Sequence, residues 1–269
     1  MKKQVKQERS QEEFYFCCYE KLKQRELSER YFKVILIMSG TAVLSSVNQT
    51  ITVKTGEFVF VNRGGFSRIR MYPEKKKPFR LLCLNFTDKF LDSYIHDKIH
   101  PSGTKARVDA FVPIKSNIML EALFSSLDTY AVNNIWPDKT MVTLKLQECT
   151  HILSLDYPQL LNQMLYKQNG GPLGLEEFMN DNYLYNASLE RFATLSGRSL
   201  SSFRREFKRM FGTTPNRWLI KKRLEVAYKR IVEDGCSPSG IYLELGFETL
   251  SHFSRKFKEQ YGIPPSKLH

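Results

Sequence analysis

Two kinds of hydrophobic spacing divide the chain. Across residues 31–86 the apolar side chains come in short β-branched and aromatic runs separated by turn residues. Residues 33–38 run into Ser39-Gly40, residues 41–47 and 51–53 flank Asn48-Gln49, and residues 58–61 lie between Gly56-Glu57 and Asn62-Arg63-Gly64-Gly65. Residues 67–72 and 79–86 continue the series, and residues 14–19 precede it. This rhythm predicts the strands of an all-β barrel or sandwich. Beyond Lys115 the spacing becomes helical. Ile118, Leu120, Leu123, Phe124, Leu127 and Tyr130 mark one amphipathic helix, and Met141, Leu144, Leu146, Cys149, Ile152 and Leu153 a second, with Pro137 between them. Lys167-Gln168-Asn169-Gly170-Gly171-Pro172 reads as a linker.

The C-terminal third carries an internal repeat. Leu200-Ser201-Ser202-Phe203-Arg204-Arg205-Glu206-Phe207-Lys208 answers Leu250-Ser251-His252-Phe253-Ser254-Arg255-Lys256-Phe257-Lys258, and the match continues through Phe211/Tyr261, Gly212/Gly262 and Pro215/Pro265. Gly197 answers Gly246 with the offset changed by one, which a turn tolerates. Leu200, Phe203 and Phe207, like Leu250, Phe253 and Phe257, fall at i, i+3, i+7 and predict one buried stripe per copy. Ser199 and Thr249 are placed to cap these helices, and Gly212 and Gly262 to end them. A short helix is predicted before each turn, over 188–195 with Leu189, Phe192 and Ala193 inward, and over 239–245. Helix, glycine turn, helix is the helix-turn-helix plan. Between the copies, Trp218, Leu219, Leu224, Ala227, Tyr228 and Ile231 trace one apolar face, stopped by Asp234-Gly235 and Pro238. That connecting helix of about 18 residues is about 27 Å long, the right order to set two helices in successive major grooves.

Charge sharpens this reading. The formal net charge is +13, from 41 Lys+Arg against 28 Asp+Glu. Between Arg198 and Arg230 eleven basic residues face only Glu206 and Glu225, which favours a polyanionic partner. Opposite the Leu/Phe stripes lie Ser201, Arg204 and Arg205 in one copy and Ser251, His252, Ser254 and Arg255 in the other, a side-chain set suited to base edges. Lys208, Arg209 and Lys258 lie further along, and Ser199 and Thr249 at the helix starts; these five are expected at the DNA backbone.

Other classes find little support. No apolar run is long enough to span a membrane, and the charged N-terminus lacks a secretory signal's apolar stretch. Five scattered cysteines (Cys17, Cys18, Cys83, Cys149 and Cys236) without a C-x-x-C pair fit reduced cytoplasmic thiols better than disulfides or zinc. His96 and His100 have i, i+4 spacing but no nearby third ligand, so neither metal nor cofactor is expected. No triad, phosphate loop or paired-carboxylate motif stands out. Lys75-Lys76-Lys77 reads as a solvated hairpin tip.

Residues 173–268 resemble the DNA-binding domain of AraC-type transcription regulators. The resemblance is carried by residues 195–208 and 245–258, by Tyr261-Gly262-Ile263-Pro264-Pro265 and by the connecting Lys-Arg-Leu-Glu-Val-Ala. It implies base-reading positions at Ser201, Arg204 and Arg205, then at Leu250, Ser251, His252, Ser254 and Arg255. One departure is Tyr242, bulky where Ala193 stands in the first copy; the second unit then packs differently or turns this ring to DNA. The β-rich portion resembles, by strand rhythm and position, the cupin-like sensor domain ahead of many such regulators. The resemblance further implies a homodimer through the helical segment, RNA polymerase as a partner, activation as the family tendency, and an effector that is a small molecule or a protein.

The sequence therefore predicts an α+β protein of two domains. A β-rich cupin-like barrel spans 1–114, a helical dimerisation segment 115–166, a linker 167–173, and an all-α double helix-turn-helix domain 174–269. Its expected work is sequence-specific binding of double-stranded DNA, without enzymatic activity. Two rivals stay open: a non-specific nucleic-acid binder, and a cupin-type enzyme fused to a DNA-binding module.

Overall fold

The computed structural model describes residues 7–10, 12–98, 109–169 and 174–268. Its contacts divide the chain into two compact units, Met1–Gly171 and Pro172–His269. The first unit opens with β1 (Gln7–Ser10), β2 (Phe14–Tyr19), β3 (Lys23–Ser28), β4 (Phe32–Ser39), β5 (Thr41–Ser45), β6 (Thr50–Lys54), β7 (Phe58–Val61), β8 (Phe66–Tyr72) and β9 (Phe79–Phe86). Helix α1 (Asp88–Lys98) and strand β10 (Phe111–Ile114) follow, then α2 (Ile118–Val132), α3 (Lys139–Asp156) and α4 (Pro158–Asn169).

The strands form a six-stranded sheet in the order β1-β2-β9-β4-β7-β10 and a four-stranded sheet in the order β3-β8-β5-β6. One face of the larger sheet gives Ile35, Val59 and Leu81 to a core shared with Ala42, Leu44, Ile69 and Met71 of the smaller. Its other face gives Val34, Phe58, Phe60 and Leu82 to a core shared with Leu123, Phe124, Leu146, Ile152 and Met164 of the helices. A sheet covered on both sides has no wet face, so its strands lose the apolar–polar alternation. Phe58–Val61 is buried at every position, whereas Thr41–Ser45 of the smaller sheet alternates. Arg80 of β9 forms an ion pair with Asp128 of α2, adding a polar tie between sheet and helix.

Several expectations change. The β-rich portion is two stacked antiparallel sheets and not a closed barrel, with β1 and β10 at the edges of the larger one. Pro113 is tolerated on edge strand β10, where a missing N–H costs little. Strand β3 gives no apolar signal beyond Leu27, yet each of its residues pairs with β8; its neighbour specifies it. Helices α1 and α4 were not legible, and α4 continues through Asn169 into the expected linker, whose residues 170–173 lie outside the described residues. The expected histidine pair also lies outside what is described, because His100 and the His96 side chain are not among the described residues. The inward faces of α2 and α3 omit Ile118 and Leu144, which are 81% and 52% exposed.

Candidate nucleic-acid interface

The second unit contains α5 (Leu175–Asn182), α6 (Leu189–Leu195), α7 (Leu200–Phe211), α8 (Pro215–Val232), α9 (Pro238–Ile241) and α10 (Leu250–Tyr261). Helices α7 and α10 have the same length and the same terminal chemistry. Ser199 Oγ accepts from the Ser202 N–H and Thr249 Oγ1 from the His252 N–H, each at 3.2 Å. At the other ends Gly212 and Gly262 take left-handed φ of 67° and 78° and donate to the carbonyls of Lys208 and Lys258. The preceding turns match as well, with φ of 74° at Gly197 and 75° at Gly246.

Packing repeats with the caps. Phe203, Phe207, Phe253 and Phe257 are fully buried, with ring centroids 5.8 Å apart in the first pair and 5.7 Å in the second. The connecting helix α8 serves both copies. Its Trp218 meets Phe207 and Phe211 at 5.7 and 5.1 Å, and its Tyr228 meets Tyr261 at 4.8 Å. Leu250 does not belong to the stripe: it is 38% exposed at the first helical position, on the solvent side.

The opposite faces carry the polar residues. Ser201, Arg204, Arg205, Lys208 and Arg209 are exposed on α7, as are Ser251, Arg255 and Lys258 on α10. His252 and Ser254 are half-buried, and the His252 ring rests edge-on against Phe247 at 5.8 Å. Glu259 approaches Arg255 at 3.9 Å and accepts from Lys256 at 2.5 Å, which holds its carboxyl below the usual range. The face of α7 is therefore the more basic of the two.

Two of the eleven basic residues turn inward. Arg198 Nε donates to Glu206 Oε2 at 2.6 Å, and its Nη1 to the Ser196 carbonyl at 2.7 Å. Arg223 is 8% exposed and donates to the carbonyls of Tyr183, Gly246 and Tyr185 at 2.8, 3.0 and 2.6 Å. Burial pulls its pKa down to about 10, so it remains a cation at neutral pH. The signal was present in the sequence: Leu219, Arg223 and Ala227 share i, i+4 spacing on the apolar face.

The second helix-turn-helix departs from the first around Tyr242. The helix expected over 239–245 is the single turn α9, followed by turns through Gly246. Pro238 starts it and Gly240 weakens it, while Ser237 makes no capping bond to a helix N–H. Ile241, Leu245 and Phe247 stay buried, and Tyr242 packs against the same cluster. Helix α5, not among the elements the sequence predicts, buries Leu175, Phe178, Met179 and Asn182 at i, i+3, i+4, i+7.

Residues 192–269 match a helix-turn-helix domain family, and residues 33–163 match the ExsA N-terminal regulatory domain. The HTH-type transcriptional regulator ExsA of Pseudomonas aeruginosa is 23% identical over 240 residues, 87% of this chain and 84% of the relative. The virulence regulon transcriptional activator VirF of Yersinia enterocolitica is 23% identical over 239 residues, 86% of each chain. A crystal structure of apo ToxT from Vibrio cholerae aligns with a TM-score of 0.45 at 14% identity, over 97% of this chain and 98% of that one. Among the described residues no helix is long and apolar enough to cross a membrane.

Proposed function

The chain belongs to the AraC-type (AraC/XylS) family of DNA-binding transcription regulators, and on that premise we propose that it reads a specific duplex sequence with α7 and α10 in successive major grooves. The observation that carries this is the repetition itself. Two twelve-residue helices with matching caps and matching buried stripes hang on one 18-residue helix, which spans about 27 Å.

In this reading Arg204, Arg205 and Arg255 supply most base discrimination, each by a planar fork that matches a guanine edge. Ser201, Ser251, His252 and Ser254 donate or accept beside them, and Leu250 offers an apolar contact suited to a thymine methyl. Lys208, Arg209 and Lys258 hold phosphates together with the helix starts at Ser199 and Thr249. Residues 1–114 form the sensing domain, 115–166 its dimerisation segment, 167–173 the linker and 174–269 the DNA-binding domain. A small-molecule or protein effector acts on the first of these, and the response passes through a cytoplasmic homodimer to RNA polymerase, with activation as the outcome. Neither a cofactor nor a catalytic step is part of this function.

Arg205→Ala is the test. Specific reading predicts relaxed choice at one base position, at a cost of about 1–3 kcal/mol for the preferred base. Equal weakening on every duplex would instead mean backbone binding alone.

A further inference from the structure

We infer that Arg223 is a positioning residue that fixes the two recognition helices relative to each other, and so sets the spacing of DNA blocks the chain accepts. This rests on the two-groove reading above.

The guanidinium leaves the middle of α8 and reaches two separate stretches of backbone. On one side it donates to the carbonyls of Tyr183 and Tyr185, 40 and 38 residues away in sequence, in the segment leading into the first helix-turn-helix. On the other it donates to the Gly246 carbonyl in the turn of the second. The 183–185 segment is itself a seam. Tyr183 stacks edge-on against Trp218 of the first aromatic cluster at 6.2 Å, whereas Leu184 packs against the core of the second helix-turn-helix.

A buried charge is tolerated only when its donors are met, and a planar fork with five N–H groups meets several fixed acceptors at once. An apolar residue would fill the space and leave three carbonyls short of a donor. The turn is shaped around this group: a Cβ on Gly246 would lie 2.8 Å from Arg223 Cζ. The tie therefore reaches the turn in front of α10 from the helix that carries α7. A stiff tie between two reading heads raises the effective concentration of the second once the first is bound, at one spacing above others.

The test uses the full chain and duplexes it selects from a random pool. Wild type, Arg223→Lys and Arg223→Met are compared on a single block and on both blocks with the gap changed by one and two base pairs. Lysine keeps the charge without the fork and guards against a misfolded methionine variant. The expected result for both variants is single-block affinity within about threefold of wild type, two-block affinity down about tenfold or more, and a flattened spacing profile. Equal losses on single and double blocks would overturn the inference, as would an unchanged spacing profile, while leaving the two-groove reading intact. A wild-type chain that selects only one block would overturn both.

Discussion

Arg198 Nε donates to Glu206 Oε2 at 2.6 Å, tying the turn that holds Gly197 to helix α7. The Arg198 side chain is only 9% exposed there, so the bond fixes the middle of α7 while Arg205, the residue before Glu206, is exposed to solvent.

That bond holds the Glu206 carboxyl below its ordinary value of 4.5, chiefly through the hydrogen bond from Arg198. A lowered folded-state pKa means that the stabilisation is complete above about 4.5 and fades as pH falls through the lowered value. Glu206→Gln should therefore melt below wild type at neutral pH, with the gap closing as pH falls below about 4.5. A gap that stays constant with pH would show that the ionised carboxylate contributes nothing.

Gly212 and Gly246 both have positive φ, but only the second is enclosed. An added Cβ at Gly212 meets nothing within 4 Å, whereas at Gly246 it meets the Arg223 guanidinium. Gly212→Ala should cost about 1 kcal/mol from backbone strain alone. Gly246→Ala should cost clearly more in the urea transition of the C-terminal unit. Equal costs would mean that Arg223 moves aside freely.

Lys208 is exposed near the C-terminal end of α7, where a phosphate contact follows from the proposed docking. Lys208→Ala should weaken binding alike across sequences and lower the slope of log K against log salt by about 0.9. A sequence-dependent loss with an unchanged slope would move this residue to a base edge.

Leu144 and Leu155 of α3 are 52% and 57% exposed, on the helix expected to join two copies. Leu144→Glu with Leu155→Glu should leave the melting temperature within a few degrees and shift sedimentation from dimer to monomer. An unchanged sedimentation coefficient in a folded double variant would place the contact elsewhere.

The double helix-turn-helix was legible because each of its devices is local. Phe203 and Phe207, the Ser199 cap and Gly212 all lie within one helix and its ends, and the second copy repeats them. What escaped was decided by partners distant in sequence. Strand β3 is polar and exists through its pairing with β8. Residues 79–86 read as a strand, but which of its faces meets the helices and which meets the smaller sheet depends on neighbours distant in sequence. Arg223 shares the apolar face with Leu219 and Ala227, but the carbonyls it ties lie 23 to 40 residues away and no local pattern marks them. The polar faces opposite the buried stripes follow from spacing alone, the base-reading positions are implied by the resemblance, and Leu250, expected in the stripe, lies at the surface.

The most direct test of the central claim is selection of duplexes by the full chain from a randomised pool near physiological salt, with affinities then compared between selected and scrambled DNA. The account predicts two fixed blocks about one helical turn apart and a preference of about a thousandfold or more. Uniform binding that fades steeply with salt and leaves no recurring block would contradict it.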